Sequence, residues 1–361
     1  MKAAVCHEFG APLVVEDVQI GDAGQGAVKV RISACAICHS DIIYADGAWG
    51  GTLPAVYGHE AAGIVEQVGP GVGHVAVGDH VVVTLIRACG ECHYCAQGHH
   101  TICEGSVPID AEPPLEAADG SELVQGLRTG AFAEYVVVDG SQVCTIPKDV
   151  PLDSASLLAC GVMTGLGAVW NTAQVPSGSH VVVIGTGGVG LNSVQGAALR
   201  GARTVIAMDL SDEKLEAARK FGATHTVNAS ANDAADQVRT ITDGRGADYV
   251  FVTVGAVPAI EQSFKLLAPA GTTVLVGMPG SDAIARFDPD AVANAAQRVM
   301  GSKMGSCKVR VDIPRLVDLY QQGRLKLDEL ITGRYPLEEI NEAIAEVKSG
   351  EALRNVIVFD R

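Results

Sequence analysis

Residues 38–60, CHSDIIYADGAWGGTLPAVYGHE, combine side-chain types that can bind a transition metal and move a proton. Cys38 supplies a thiol and His59 an imidazole, with a carboxylate beside it at Glu60. Zinc takes sulfur and nitrogen ligands, and a catalytic zinc keeps three protein ligands and one open position. The third ligand must come from elsewhere, and Cys160 in the run LLACGVMTGLGA is the candidate. Cys38 or His59 alone would more often be a buried core residue, so the predicted metal depends on the pair.

A second group of thiols falls in the run CGECHYCAQGHHTIC, at Cys89, Cys92, Cys95 and Cys103. Four thiolates close a tetrahedron around zinc and leave no open position, which is typical of a structural site. An iron–sulfur cluster also takes four cysteines, but its bacterial spacing ends in x3 and a proline, which this segment lacks. A disulfide pairing is disfavoured because a reducing compartment is expected. We therefore predict a structural zinc.

Composition and charge exclude several classes of protein. The chain has 361 residues, long enough for two domains, and 48% of them are hydrophobic. Acidic residues outnumber basic ones by 42 to 26, and this balance disfavours nucleic acid as a partner. No apolar run reaches the roughly 18 residues of a membrane span, and the N-terminus MKAAVCHEFGAP shows no secretion signal, so we expect a cytoplasmic protein without a membrane partner. The remaining cysteines, which we expect to stay unpaired, are Cys6, Cys35, Cys144 and Cys307.

The spacing of apolar residues changes near Val162. Before it, short alternating runs such as AVKVRIS and VAVGDHVVV predict the strands of a small β-rich unit. After it, buried strands such as GSHVVVIG alternate with helix-length segments, which predicts an α/β fold with a doubly wound parallel sheet. We assign residues 162–303 to this cofactor domain and residues 1–161 with 304–361 to one discontinuous domain. Residues 104–128, which are acidic and rich in proline and glycine, are expected to run over the surface.

The run GTGGVG fits the pattern G-x-G-x-x-G, directly after a predicted strand and at the start of a helix. Its glycines, Gly185, Gly187, Gly188 and Gly190, allow a tight turn and the close approach of a pyrophosphate to the helix N-terminus. Asp209 ends the next predicted strand, where a carboxylate binds the ribose hydroxyls and repels a 2′-phosphate. We therefore expect NAD rather than NADP, although Asp209 could instead cap the following helix.

The motifs CHSD, GHEAAGIVEQVG, ACGVMTGLGA and VVVIGTGGVG, in this order, resemble the zinc-dependent alcohol dehydrogenases of the medium-chain dehydrogenase/reductase superfamily. The resemblance runs from MKAAV to LRNVIVFDR and implies a chaperonin-10-like catalytic domain together with a Rossmann cofactor domain. It implies two zinc ions per chain, NAD, a small alcohol or aldehyde as substrate, and a homodimer or homotetramer. The further cofactor contacts that it implies are His39, Thr164, Val189, Lys214 and Arg354. The substrate pocket that it implies contains Trp49, Leu85, Leu127, Met278 and Lys303, with Gly126 where a bulky ring is common.

The same resemblance assigns roles to the residues around the predicted catalytic zinc. Zinc would lower the pKa of an alcohol, and the resulting alkoxide would pass a hydride to the nicotinamide. Ser40 would accept the alcohol proton, and Asp41 would hold the second nitrogen of His59. Glu60 would lie beside the metal or form a buried ion pair. Many relatives have a histidine three residues after the serine, whereas this chain has Ile43, so the onward path of the proton is unassigned.

Three functions are compatible with these residues. The first is a zinc- and NAD-dependent alcohol dehydrogenase that interconverts an alcohol with an aldehyde or ketone. The second is a glutathione-dependent formaldehyde dehydrogenase, although residues 104–130 do not carry an evident group of the basic residues that a glutathione carboxylate would want. The third is a catalytically idle NAD-binding redox sensor, which would be expected to lose Cys38, His59 or Cys160. Lys303 beside an apolar slot would suit a substrate with an acidic tail, unless it points to a subunit interface or to solvent.

Overall fold

The computed structural model describes residues 1–359 and divides into two compact units. The first holds residues 1–161 and the described part of 308–361, and the second holds Val162–Cys307. The first unit is therefore discontinuous in sequence.

The second boundary between the units lies at Cys307, and not at Lys303 as the sequence suggested. Hydrogen bonds keep the intervening residues in the second unit. Ser306 Oγ lies 2.8 Å from Thr172 Oγ1, and the Cys307 thiol lies 3.2 Å from the carbonyl oxygen of Met163. The chain leaves this unit only after these contacts are made.

Strands and helices are numbered along the chain. The strands are β1 Lys2–Cys6, β2 Val14–Ile20, β3 Ala27–Ala36, β4 Ala55–Val56, β5 Glu60–Val68, β6 His80–Val83, β7 Leu115–Ala117, β8 Val124–Gln125, β9 Tyr135–Asp139, β10 Val143–Ile146, β11 His180–Ile184, β12 Thr204–Asp209, β13 His225–Asn228, β14 Ala247–Val252, β15 Leu267–Leu275, β16 Arg298–Gly301, β17 Ile331–Tyr335 and β18 Arg354–Val358. The α-helices are α1 His39–Ala45, α2 His93–Ala96, α3 Leu152–Ser156, α4 Gly161–Gly167, α5 Gly188–Leu199, α6 Asp212–Lys220, α7 Ala234–Ile241, α8 Val257–Leu266, α9 Pro289–Asn294, α10 Val309–Gln321 and α11 Ile340–Ser349.

The first unit contains two sheets, with strand orders β7-β2-β1-β4-β8 and β10-β6-β5-β3-β18-β17, and β9 also pairs with β3. Most of these pairs are antiparallel, as the alternating pattern predicts. The apolar side chains of both sheets share one core that includes Val5, Ile32, Val56 and Phe132. Strand β18 joins the second sheet beside β3, so the C-terminal segment completes the unit that the N-terminal segment begins.

Residues 104–128 are more than the surface excursion expected from their composition. Strand β7 pairs with β2, and β8 pairs with β4, so this segment supplies both edges of the first sheet. Leu115 and Leu123 are buried in the core of the unit. These two leucines explain why an otherwise acidic segment is fixed to the sheet.

The second unit contains a six-stranded parallel sheet in the order β13-β12-β11-β14-β15-β16. Strand β11 is buried along its whole length, which explains its continuous apolar run HVVVI. Its core includes Val182, Ile206, Val250 and Leu266. This doubly wound arrangement confirms the predicted α/β fold, and β16 lies at one edge of the sheet.

Within residues 1–359, no single helix is long and apolar enough to cross a membrane. The bent pair Leu152–Ala159 and Gly161–Thr172 would reach that length and apolar character only when its two parts are counted together.

Candidate metal centres and dinucleotide site

The three predicted ligands of the catalytic zinc come together in the first unit. One ligand atom each from Cys38, His59, Glu60 and Cys160 lies within 4.8 Å of the other three, and all four side chains are buried. Cys38 immediately precedes α1, His59 immediately precedes β5, and Cys160 follows the short helix Leu157–Ala159. Three separate turns of the chain therefore converge on one point.

Asp41 determines which nitrogen of His59 faces this cluster. Its Oδ1 lies 2.8 Å from His59 Nδ1 and also accepts a hydrogen bond from the Gly58 amide at 2.9 Å. Its Oδ2 accepts a hydrogen bond from the Cys38 amide at 3.1 Å. Because an ionised carboxylate can only accept, Nδ1 carries the hydrogen. In the neutral imidazole, which is the form that binds a metal, Nε2 then keeps its lone pair. His59 Nε2 is buried without a hydrogen-bond partner among the described residues, and a metal ion would satisfy it.

Glu60 forms a buried ion pair with Arg354, whose Nη2 lies 2.5 Å from Glu60 Oε2. The Gly161 amide donates a hydrogen bond to the same oxygen at 3.2 Å. Burial raises the pKa of Glu60 to about 7, although Arg354 opposes the shift. Both roles considered for Glu60 therefore stay open, because it is paired with an arginine and also belongs to the metal-capable group.

Arg354 is only 6% exposed and lies beside the predicted zinc ligands. A Cβ atom at Gly161 would lie 2.6 Å from Arg354 Nη1, so the residue after Cys160 leaves room for the guanidinium. The contact between Arg354 and the cofactor stays a prediction. His39 and Ser40 open α1, where His39 is exposed and Ser40 half-buried, and their roles also stay predictions.

The sulfurs of Cys89, Cys92, Cys95 and Cys103 also lie within 4.8 Å of one another. Backbone amides point at three of them: the Cys89 amide donates to Cys103 Sγ at 3.3 Å, Cys92 to Cys89 Sγ at 3.3 Å, and Cys95 to Cys92 Sγ at 3.4 Å. Backbone hydrogen bonds lower the pKa of the Cys92 thiol to about 6. Hydrogen bonds of this kind stabilise thiolates, which are the form that binds zinc.

Gly105 is a part of this cluster that sequence reasoning missed. A Cβ atom there would lie 2.4 Å from Cys89 Sγ, so only glycine leaves space for the sulfur. Its position two residues after Cys103 is the feature of the sequence that could have identified it. Residues 1–359 include all ten cysteines, and none of them forms a disulfide bond.

The glycine-rich loop in the second unit joins the end of β11 to α5. Gly185 has φ +89°, and a Cβ atom at Gly190 would lie 1.8 Å from the carbonyl oxygen of Gly185, so the turn itself requires both glycines. Gly187 differs, because a Cβ atom there would meet no protein atom within 4 Å. The chain does not need a glycine at position 187, whereas a ligand lying against the backbone would.

Asp209 ends β12 next to this loop. Its Oδ2 accepts a hydrogen bond from the Thr186 amide at 2.7 Å, and its Oδ1 accepts one from the Ser211 amide at 3.1 Å. The cap of α6 is Ser211, whose Oγ accepts from the Lys214 amide at 3.3 Å. The alternative that Asp209 caps this helix is therefore wrong, and the carboxylate is fixed beside the loop.

Replacing Asp209 with glycine should reduce the preference for NAD over NADP at least about tenfold, roughly 1.4 kcal/mol, because it removes the charge that repels a 2′-phosphate. The measurement is the ratio of kcat/KM values for the two cofactors. Asp236→Gly removes an exposed carboxylate of α7 and serves as the control. A ratio that changes equally in both variants would show that Asp209 does not contact the ribose.

The predicted substrate residues occur in both units. In the first unit, Trp49 packs edge-on against Tyr44 with ring centroids 5.2 Å apart, and Leu127 has a left-handed backbone with φ 52°. Leu85 follows β6 and is half-buried. In the second unit, Met278 is 59% exposed and Lys303 is exposed. Their common pocket stays a prediction, as do the cofactor contacts of Thr164 and Val189.

The space at Gly126 is filled by a ring that the sequence did not identify. A Cβ atom at Gly126 would lie 2.4 Å from Cδ1 of Tyr57, a buried side chain. Tyr57 also stacks on Tyr44 with ring centroids 6.1 Å apart. The missing bulk at position 126 is thus compensated by a tyrosine two residues before His59.

Two protein families and several known proteins match the sequence of this chain. The family described as alcohol dehydrogenase GroES-like domain matches residues 24–148, and the family described as zinc-binding dehydrogenase matches residues 188–322. The chain is 38% identical to the NDMA-dependent alcohol dehydrogenase of Amycolatopsis methanolica, over 99% of this chain and 98% of that protein. It is 37% identical to the protein named "Probable S-(hydroxymethyl)glutathione dehydrogenase 1" of Schizosaccharomyces pombe, over 100% and 97% of the two chains.

A solved structure supports the same conclusion. Benzyl alcohol dehydrogenase from Acinetobacter calcoaceticus superposes with a TM-score of 0.93 at 31% identity, over 99% of both chains. The fold, the order of the motifs and these likenesses agree along nearly the whole chain. The protein belongs to the zinc-dependent alcohol dehydrogenases of the medium-chain dehydrogenase/reductase superfamily.

Proposed function

We propose that the protein is an NAD-dependent enzyme with two zinc ions per chain that interconverts an alcohol with its aldehyde or ketone. The observation that carries the proposal is the unpartnered Nε2 of His59, buried in one cluster with the thiols of Cys38 and Cys160. These three residues would hold the catalytic zinc, and Cys89, Cys92, Cys95 and Cys103 would hold the structural zinc. The four sulfurs of the second cluster would fill a tetrahedral zinc site, which suits a closed, structural site.

Zinc and NAD, when bound, supply Lewis-acid polarisation of the alcohol oxygen and a hydride acceptor. The chain's own residues provide the positioning. Asp41 holds the ring of His59 through Nδ1, and Ser40 accepts the proton that leaves the alcohol oxygen. Ile43 cannot carry that proton further, so it leaves Ser40 by another path. The loop at Gly187 would receive the pyrophosphate, and Asp209 would bind the ribose hydroxyls.

The chain is proposed to act as a cytoplasmic homodimer or homotetramer. The last strand of the parallel sheet, β16, has one side unpaired within the described chain, and Val299 in it is 47% exposed. An exposed apolar edge strand is normally covered in solution, and a second copy of the same strand could cover it.

A second candidate function is the oxidation of S-(hydroxymethyl)glutathione, favoured by the 37% identity to the yeast protein with that name. The segment around residues 112–122 weighs against it. Glu112, Glu116, Asp119 and Glu122 occur there without a lysine or arginine. Two glutathione carboxylates would be repelled by such a surface.

The test is a turnover screen with purified protein whose zinc content per chain has been measured. Ethanol, benzyl alcohol, an alcohol with a carboxylate tail and S-(hydroxymethyl)glutathione are each supplied with NAD or NADP. NAD-dependent oxidation of at least one simple alcohol is the expected result. Turnover only of the glutathione adduct would favour the second candidate, and no turnover by the protein with two zinc ions would refute both.

Replacing Lys303 tests whether the substrate carries an acidic tail. The residue is exposed two positions after β16, and ligands of doubly wound sheets bind at the carboxyl ends of the strands. If its ammonium binds a substrate carboxylate, Lys303→Met should raise KM for an acidic alcohol by about ten- to a hundredfold and spare a neutral one. Lys265→Met, an exposed lysine of α8, is the control. Equal losses on both alcohols would indicate packing or subunit contacts instead.

A further inference from the structure

Gln142 is a fully buried polar residue in the first unit, and each hydrogen-bonding position of its amide is used. Its Nε2 donates to the carbonyl oxygens of Thr84 at 2.8 Å and Arg128 at 3.0 Å. Its Oε1 accepts from Arg87 Nε at 3.0 Å and from the Asp139 amide at 3.3 Å. An amide has two donor hydrogens and two acceptor lone pairs, so this side chain is fully satisfied. Such an arrangement fixes the relative positions of three segments of the chain, at residues 84–87, 128 and 139–142.

Arg87 extends the network to the surface. It is 7% exposed and forms an ion pair with Asp110 in the short helix Pro108–Asp110. Its Nη2 donates to the carbonyl oxygen of Arg128 at 3.3 Å, the same atom that Gln142 binds. The planar guanidinium thus holds Asp110, Gln142 and the backbone at residue 128 at once.

The carbonyl of Arg128 belongs to a strained turn. Leu127 and Arg128 have φ angles of 52° and 58°, a left-handed backbone that is unfavourable for residues with a Cβ atom. Two donors on one carbonyl oxygen help to keep the turn in this conformation. Leu127 is one of the residues proposed to line the substrate pocket.

The other end of the network reaches a second pocket residue and a zinc ligand. Thr84 is fully buried, and its carbonyl, bound by Gln142, belongs to the peptide that leads into Leu85. Its Oγ1 donates to the carbonyl oxygen of Ala159 at 2.7 Å, directly before Cys160. One chain of hydrogen bonds therefore connects Leu127, Leu85 and the backbone that presents Cys160.

We infer that Arg87 and Gln142 are positioning residues that decide which alcohols the enzyme accepts, by holding Leu127 and Leu85 in place. The inference rests on the proposed alcohol dehydrogenase function and on these two side chains lining the pocket. Neither Arg87 nor Gln142 needs to touch the substrate. Their loss should therefore change the discrimination between small and bulky alcohols while both zinc ions stay bound.

Two mild substitutions at the surface end of the network test this. Asp110→Asn removes the charge that holds Arg87, and Arg87→Lys keeps a cation beside Asp110 but cannot bind Gln142 and Arg128 as well. In both, the kcat/KM ratio of benzyl alcohol to ethanol should change by about fivefold or more, mainly through KM. Amide hydrogen exchange of residues 126–130 should become about tenfold faster or more. Zinc content should stay at two ions per chain.

Thr242→Val is the matched control, because Thr242 is also fully buried and hydrogen-bonded, at the end of α7 in the second unit. It should lower the thermal midpoint without changing the alcohol ratio or the exchange at residues 126–130. If the two test variants change only the midpoint, as the control does, the inference is wrong. It is also wrong if exchange rises while the alcohol ratio stays constant. An unmodified protein that oxidises no alcohol would instead refute the proposed function, and the exchange data would still test the network itself.

Discussion

Cys38→Ser should remove one zinc ion from each chain and reduce kcat/KM for an alcohol by at least about a thousandfold, which corresponds to roughly 4 kcal/mol of transition-state stabilisation. A serine hydroxyl is a poor zinc ligand compared with a thiolate. The remaining cluster of His59 and Cys160 would then keep only two of the three proposed protein ligands. Metal analysis and steady-state kinetics on the same sample measure both effects.

Cys35→Ser provides the matched control for this prediction. Cys35 is a fully buried cysteine in β3, three residues before Cys38, and burial raises the pKa of its thiol well above the ordinary value. It is not a member of either metal-capable group in residues 1–359. The control should keep two zinc ions and most of the activity. If Cys38→Ser also keeps both ions at full activity, the catalytic zinc has been assigned to the wrong residues.

Cys92→Ser should remove the other zinc ion and lower the thermal midpoint of unfolding. Structural zinc sites provide folding free energy on the order of 10 kcal/mol in isolated zinc-finger peptides. Even a small part of that should lower the midpoint by more than about 5 °C in a chain of this size. The catalytic cluster should keep its zinc. Calorimetry and metal analysis test the prediction. An unchanged midpoint with one zinc lost would show that zinc binding by the four-cysteine cluster does not stabilise the fold.

Gly105→Ala tests the same four-cysteine cluster without removing a ligand. The added Cβ would lie 2.4 Å from Cys89 Sγ, so the sulfur must move. The four-cysteine cluster should therefore bind zinc more weakly. Gly73→Ala is the matched control, because a Cβ atom there would meet no protein atom within 4 Å. Neither glycine has a left-handed backbone, so the comparison isolates the collision with the sulfur. Equal zinc affinity in the two variants would argue against the proposed position of Cys89.

Much of the fold could be predicted because its signals are local. The change from short alternating runs to long strand–helix alternation identifies the parallel sheet. Residues 104–128 show where this reasoning ends. Their acidic, proline-rich composition predicts a surface segment, yet Leu115 and Leu123 pack into the core and two short strands pair with β2 and β4. Pairing with strands far away in sequence leaves no periodic pattern in such short segments.

Features whose geometry lies within a few residues could be predicted from the local sequence. Four cysteines within fifteen residues must lie close together because the chain that joins them is short. Gly185 and Gly190 of GTGGVG are required by the turn that they form. The family motifs also identified Cys38, His59 and Cys160 as candidates for one metal.

The way in which distant segments meet depends on tertiary packing and could not be predicted from the sequence. Cys160 lies 122 residues after Cys38, and spacing of that length does not determine a distance. The packing of the first unit brings their ligand atoms within 4.8 Å, directs Asp41 at His59 Nδ1 and pairs Arg354 with Glu60. The same folding places the Tyr57 ring against Gly126. Each of these contacts joins side chains from separate segments of the chain, so its geometry depends on how the whole unit packs.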